Sequence, residues 1–418
     1  MEIVTGGITT GDDFFEGRKQ YVDELAKLIS TNDILLVGPR RTGKTSLIKE
    51  YLLREKENQG VCLYLNLEDC KGLYEFYVRV IREVLNLTDK LSLLQTQTGQ
   101  FIKDSCNKLS QIFKGKIKFP TDGLGTNIET SIEVVIPTFD ANTISELQQE
   151  LNIILSNLKA SITIVLDEFP EIIFKFPEAS RVDQTKQLLS GLRAVRQKLT
   201  VDQVKTHRVI IAGSINLENT LNSMGLGDTI NDLTPLKIPN LTPDEGYTLL
   251  TSLALGAEFQ LAKHDEAKDF FTTQFGYCTP FYIQLFADNL RNIKRQKRQN
   301  NFDLNHLKDA YKVLIQGDRG PNYFLKRLHN PAYYSGNERD LALNILRAIA
   351  KKQFETAVST TDEEIKHLIP DSLIRTRLMI KLGLDDFFQV GGGGNYIFDC
   401  QVICNFWNFS LNNGSFLK

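Results

Sequence analysis

The chain has 418 residues, 42% of them hydrophobic, and carries 49 Lys and Arg against 51 Asp and Glu, the composition of an ordinary globular protein that is too long for a single compact core. No stretch approaches about 18 consecutive apolar residues, and the start, Met1-Glu2-Ile3-Val4-Thr5, lacks the basic and apolar regions of a secretion leader, so a membrane role is not expected and the expected location is the cytoplasm. The six cysteines (Cys62, Cys70, Cys106, Cys278, Cys400, Cys404) are scattered without paired zinc spacing, which points to reduced core thiols.

Taken in order, Phe14-Phe15-Glu16-Gly17-Arg18 leads into a helix over Tyr21 to Ser30. The run Ile34-Leu35-Leu36-Val37 has the pattern of a buried parallel strand, and Ser46 to Leu53 is apolar at helical spacing. Between them stands Gly38-Pro39-Arg40-Arg41-Thr42-Gly43-Lys44-Thr45, which has the Gly, four residues, Gly-Lys-Thr spacing of a phosphate-binding loop in the strand-loop-helix context that the chemistry requires. Gly38 and Gly43 let the backbone wrap a phosphate chain with its N–H groups, the helix N-terminus adds partial positive charge, and Lys44 reaches the β- and γ-phosphates. Thr45 offers its hydroxyl to Mg²⁺. Residues 38–46, ending on Ser46, are the expected nucleotide contacts.

Val61 to Leu67 reads as a second strand and Leu73 to Leu85 as a helix, so strands and helices alternate as in a parallel α/β sheet. The alternation breaks between Thr98 and Asp140. A helix to about Phe113 is followed by two alternating runs that predict a β-hairpin insertion at about 114–137, with a basic first strand. A capping box, Thr143-Ile144-Ser145-Glu146, then opens a helix to about Leu158.

The strand Ser161 to Leu166 ends in Asp167-Glu168, the second motif of a nucleoside triphosphatase. Asp167 is placed to hold Mg²⁺ through water, and Glu168 to polarise the attacking water as general base. Together the two motifs predict an ATPase using ATP and Mg²⁺. A helix over Val182 to Leu199 presents Arg193 and Arg196. Arg208 to Ser214 is a strand whose polar end suits a γ-phosphate sensor, Ser214 first and Asn216 second. Leu236 to Pro239 is the last strand.

Helices follow near Pro243 to Leu255, Asp265 to Phe275 and Pro280 to Lys297, interrupted at Gly276-Tyr277-Cys278-Thr279-Pro280. From Glu338 come three helices, to about Lys352, over Asp362 to Leu368 and over Asp371 to Leu382, then a hairpin over Phe387 to Phe398; this order describes a winged helix. Its third helix carries Arg375, Arg377 and Lys381, candidate nucleic-acid contacts, while Asp385-Asp386 beside the hairpin argue against deep groove insertion. Residues 291–381 hold 18 Lys and Arg against 10 Asp and Glu, an excess of +8 in a chain of net charge -2, which points to a partner surface for phosphate backbones or acidic proteins. The fold class is thus α/β, a P-loop NTPase sheet over residues 1–240, followed by a helical lid at 241–335 and a winged-helix domain at 336–418.

On Phe15-Glu16-Gly17-Arg18, Gly38 to Thr45, Leu166-Asp167-Glu168, Gly213-Ser214, Gly276 to Pro280 and Tyr396-Ile397-Phe398-Asp399 to Phe406-Trp407, taken in that order, the chain resembles the AAA+/STAND group of archaeal-type (MNS-clade) ATPases, relatives of the initiator ATPases that load replication machinery. The resemblance covers most of the chain. It implies that Arg18 helps wall the adenine pocket, that Pro280 touches the nucleotide, and that subunits associate in a nucleotide-dependent way. It also implies an ATP-driven switch coupled to duplex DNA or a separately encoded effector protein, in a defence or mobile-element setting. Alternatives are a DNA-binding regulator with a structural nucleotide site and a filament-forming DNA loader. One departure stands out: residues 215–235 contain no Arg or Lys, where the family has an arginine that reaches the neighbouring subunit's ATP. Arg193, Arg196 or a partner would have to supply it, or the protein turns over slowly.

Overall fold

The structure is a computed structural model that describes residues 1–90, 104–105, 107–109, 141–158, 160–198, 200–201, 204–205, 207–214, 216–261, 263–331, 333–391 and 394–411. The hairpin expected at about 114–137 lies outside the described residues, as does the helix before it apart from its helical residues at 104–105 and 107–109.

Five parallel strands form the central sheet: β1 (Ile34–Gly38), β2 (Val61–Asn66), β3 (Ile162–Asp167), β4 (Arg208–Ser214) and β5 (Thr234–Lys237), in the order β2-β3-β4-β1-β5. The apolar strands have helices on both faces, as parallel sheets require. In β1 the pleat divides the residues: Ile34 and Leu36 pack with α1 (Lys19–Ile29) and α2 (Lys44–Glu57), while Leu35 and Val37 join the larger core on the other face. That core is built with α3 (Leu73–Lys90), α4 (Ala141–Ser156), α5 (Phe169–Lys175), α6 (Arg181–Lys198) and α7 (Leu217–Ser223). The last strand begins two residues earlier than the sequence suggested, because Pro235 sits inside it, opposite Leu35. At the sheet edge a missing N–H removes no ladder bond, so proline is tolerated there.

The register places the functional ends side by side. Gly38 pairs with Ser214, and Asn66 with Asp167. All three candidate strand ends therefore open on the same edge of the sheet, where parallel α/β folds bind ligands.

The segment expected as a helical lid, called the lid below, comprises α8 (Pro243–Gly256), α9 (His264–Phe275), α10 (Pro280–Lys297), α11 (Leu304–Gln316) and α12 (Asn322–His329). The sequence pattern predicts only the first three of these helices. The C-terminal unit follows as α13 (Gly336–Thr356), β6 (Thr360–Thr361), α14 (Asp362–Leu368), α15 (Ser372–Leu384), β7 (Gln389–Gly391), β8 (Asn395–Ile397) and α16 (Gln401–Leu411), with a small sheet in the order β6-β8-β7. Three helices and a hairpin lie where expected, and α16 adds Trp407, fully buried. Lid and C-terminal unit share one apolar core running from Leu241 to Trp407. Asn405 of α16 donates to Gln274 O at 3.1 Å and to the Tyr311 hydroxyl at 2.8 Å, so packing is continuous across the boundary drawn at residue 335.

Within that unit Glu338 closes a capping box with Ser335 and accepts from Arg377 at 2.9 Å and Lys381 at 3.1 Å. Burial alone would raise its pKa, but the Ser335 N–H and Lys381 outweigh this and lower it to about 2. A carboxylate with a depressed folded pKa stabilises above its unfolded value, near 4.5, and that stability is lost as pH falls towards about 2. Glu338→Gln should therefore cost about 1–2 kcal/mol at pH 7 and flatten the stability loss over that acid window, read by urea unfolding at pH 7 and pH 3.

Candidate functional site

The turn from β1 into α2 is built on two glycines. A Cβ at Gly38 would come within 2.5 Å of the Ile238 carbonyl, and Gly43 has φ 91°, so neither position accepts a side chain without strain. Thr42 closes the loop through its hydroxyl to Pro39 O, 2.8 Å. Lys44 is buried and folds over the loop, donating to Gly38 O at 2.7 Å and Pro39 O at 2.9 Å. Its ammonium thus rests on two carbonyls of the strand-loop junction, a position from which a phosphate oxygen can draw it away.

The two motifs meet. Thr45 Oγ1 donates to Asp167 Oδ2 at 2.8 Å, and the Tyr64 hydroxyl donates to the same oxygen at 2.9 Å. Asp167 Oδ1 accepts the Glu168 N–H at 3.0 Å. Glu168 is held in the left-handed region at φ 55°, ahead of α5, and burial pushes its carboxyl above the ordinary range while Lys44 and Arg40 pull it back. A raised carboxyl beside a phosphate loop suits a group that must take a proton from water. Thr45 and Asp167 offer one hydroxyl and one carboxylate side by side, a donor set that would fit Mg²⁺ with phosphate and water oxygens completing the shell; among the described residues no cluster of three or more His, Cys, Asp or Glu could hold a metal by itself.

A cavity of about 380 Å³ opens over the loop, lined among others by Ile8, Phe14, Arg18, Thr45, Glu168 and Phe281, within the range of small-molecule sites. One wall is the N-terminal segment. Thr9 N–H donates to Ser46 Oγ at 3.1 Å, Gly11 N–H to Glu50 at 2.8 Å, and Val4 N–H to Gln284 Oε1 at 2.6 Å, tying the segment to α2 and to the lid. Arg18 lines the cavity from a buried position, with one guanidinium nitrogen on Pro239 O at 2.6 Å and its Nε without a partner. Pro280 opens α10 at the same cavity. Arg41, with φ 67°, stacks on the rings of Phe281, 4.0 Å, and Tyr323, 4.7 Å, joining the loop to the lid.

Arg40 turns the other way. It donates to Glu171 at 2.6 Å and lies 3.7 Å from Asp385. Arg327 of α12 contacts the same two carboxylates, with Nε 2.6 Å from Asp385 Oδ1 and a second nitrogen 3.3 Å from Glu171, and Tyr334 OH donates to Asp385 Oδ2 at 2.8 Å. Burial would raise the Glu171 carboxyl, but Arg40 and Arg327 hold it below its ordinary value. Next in the chain, Asp386 has φ 56° and a buried carboxyl against Ser214, facing Lys44 and Arg40. Neither of its oxygens nor the Ser214 hydroxyl makes a well-formed hydrogen bond. Burial pushes the Asp386 carboxyl up to about 7 in spite of the two cations.

Several expected residues are placed elsewhere. Asn216, the second sensor candidate, is fully buried and gives its amide to the C-terminal unit, donating to Gly383 O at 3.3 Å and accepting Val390 N–H at 3.2 Å. Arg196 is 2% exposed and paired with Asp232 at 2.8 Å, so it cannot reach a neighbouring subunit; Arg193 holds Asp228 O at 2.5 Å. Arg375 donates to Ile369 O at 2.8 Å, Arg377 pairs with Glu338 and with Glu178 of the sheet domain, and Lys381 is buried on Glu338. Of these three only Lys381 is buried, whereas Arg375 is half-buried and Arg377 remains exposed while paired. Asp385-Asp386, read from sequence as surface acids beside the hairpin, are buried at the phosphate loop, since Arg40 and Arg327 neutralise what water would otherwise have to. Glu171, Arg327 and Tyr64 carried no signal of their own; only the third and fourth loop residues, Arg40-Arg41, hinted at acidic and aromatic partners.

No protein-family profile and no curated protein matches the sequence. Among solved structures the chain is similar to the Walker-type ATPase of Pyrococcus abyssi, with TM-score 0.55, 16% identity, and 97% of this chain and 99% of that chain covered. It also matches the ORC2 protein of Aeropyrum pernix in its ADPNP-ADP complexes, at TM-score 0.49 and 13% identity over 98% of both chains, and Cdc6p of Pyrobaculum aerophilum, at 0.47 and 13% over 98% of both. The fold is that of P-loop ATPases: a five-stranded parallel α/β domain followed by helices. Among the described residues no helix is long and apolar enough to cross a membrane.

Arg327→Leu should leave Asp385 and Glu171 buried with half their compensation and cost about 3–5 kcal/mol in denaturant unfolding. The double variant Arg327→Leu/Asp385→Leu should recover a large part of that loss.

Proposed function

We propose that the chain binds ATP with Mg²⁺ and hydrolyses it slowly, as a switch whose nucleotide state sets the position of the C-terminal unit. The observation that carries this reading is the hydrogen bond between Thr45 and Asp167, which joins the phosphate loop to the acidic strand end at the floor of the cavity. The loop amides and Lys44 would hold the phosphates, and Thr45 and Asp167 the Mg²⁺, which supplies charge neutralisation on the phosphate oxygens. Arg18, Phe14 and Pro280 would bound the base end of the cavity. Glu168 accepts the proton of the attacking water. The reading of slow turnover rests on the lack of a basic residue at 215–235, the burial of Arg196 and the engagement of Arg193 with Asp228 O, which together leave a partner as the expected source of an arginine for transition-state charge.

Lys44→Ala should abolish nucleotide binding or turnover while the fold survives, checked by calorimetric titration and circular dichroism; wild-type turnover in that variant would sink the assignment. Glu168→Gln should still bind ATP but hydrolyse it about 100-fold or more slowly, since an amide cannot take the water's proton.

For the output, duplex DNA and a separately encoded effector protein are both implied by the resemblance. The ion pair between Arg377 and Glu178 of the sheet domain supports a C-terminal unit that docks on its own ATPase domain and meets its partner when released. Turnover and particle size measured with and without duplex DNA distinguish the two partners, and DNA-stimulated hydrolysis would favour the first.

A further inference from the structure

The buried group least explained by folding is the Asp386 carboxylate. It comes from the C-terminal unit, yet stands at the end of β4 against Ser214, whose backbone partner across the sheet is Gly38, the first residue of the phosphate loop. The charges that act on it are Lys44 and Arg40, both loop residues, and the Glu168 carboxylate. Both carboxylate oxygens and the Ser214 hydroxyl lack well-formed hydrogen bonds, and the backbone at Asp386 adopts a left-handed conformation that costs a non-glycine residue free energy. A carboxylate brought into such a place at a cost is held there by its neighbours. Asp385 is clamped by Arg327 and Tyr334, and Asn216 grips the backbone on both sides, at Gly383 and Val390.

A phosphate chain lying in the loop runs past Lys44 towards the polar end of the strand between the two motifs, so its terminal phosphate meets Lys44 and Ser214. Those are the groups that Asp386 faces. Resting on the nucleotide reading above, we propose that Asp386 occupies the γ-phosphate subsite, so that the docked C-terminal unit admits a nucleoside diphosphate and excludes a triphosphate. A second anion cannot share one small, water-poor space with the carboxylate. Triphosphate binding therefore displaces Asp386, and because Asp385 is its neighbour, the Arg327 and Arg40 contacts are pulled with it. The C-terminal unit undocks, and the differential affinity of the two states for the γ-phosphate is what drives the change.

The test uses the full chain, in a Glu168→Gln background so that ATP persists, with ADP and ATP each titrated calorimetrically in the presence of Mg²⁺. The parent should prefer ADP. Asp386→Asn, which keeps the shape and removes the charge, and Asp386→Ala, which removes both, should each tighten ATP about 10-fold or more while ADP affinity shifts by less than about 3-fold. Retained ADP binding also shows that the variants are folded. Small-angle scattering should show ATP, but not ADP, expanding the parent. The same ATP-to-ADP ratio in parent and both variants, with Lys44→Ala still losing both nucleotides, overturns the role of Asp386 and leaves the nucleotide site standing. Absence of binding by the parent to either nucleotide overturns that site and this inference together.

Discussion

Two arginines and two carboxylates with little access to water tie three parts of the chain to one point. Arg40 belongs to the phosphate loop, Glu171 to the helix after the acidic strand, Arg327 to the lid and Asp385 to the C-terminal unit. A buried pair of this kind gains little over apolar packing, yet losing any one member leaves an uncompensated charge. The cluster therefore acts less as glue than as a condition on the docked state: there, sheet, lid and C-terminal unit meet in the arrangement that satisfies all four charges. It stands beside the phosphate loop, so whatever rearranges the loop is felt by every part.

Around that point the sheet supplies rigidity. β1, β3 and β4 are central strands, buried on both faces, and their registered ends hold Gly38, Asp167 and Ser214 in fixed relation. The walls of the site are attached to this frame by side chains. The N-terminal segment is held by three backbone N–H bonds to side chains of α2 and α10 and by the burial of Phe14, and the lid by the stacking of Arg41 on Phe281 and Tyr323 and by the pairing of Arg327 with Glu171.

The C-terminal unit is docked from two sides. Asn216 and Asn219 of the sheet domain hold the backbone around the hairpin, and Glu178 pairs with Arg377 on α15. The same unit shares its apolar core with the lid. Its motion would therefore carry the lid with it, since separating those two would expose the buried ring of Trp407 and its aromatic neighbours, whereas leaving the sheet domain breaks ionic and amide contacts and uncovers Leu384, which is buried in the sheet domain's core.

The phosphate loop, Thr45 with Asp167 and Glu168, the sheet and the helix-helix-helix-hairpin order were all legible in the sequence, because each rests on local rules: glycine at special backbone angles, period-two burial, caps at helix starts. The helices at Leu304–Gln316 and Asn322–His329 were missed because they stand beside glycine, proline and basic stretches that look like linker, and their helical state is stabilised by a core shared over long chain separations. What only the tertiary structure decided is where charge is neutralised. Asp385 and Asp386 look like surface acids, and Arg377 and Lys381 like a basic reading face, until the chain folds and pairs them across more than a hundred residues or against a neighbouring helix. A local pattern can say that a residue is charged, but whether that charge meets water or a buried partner is a property of the assembled core.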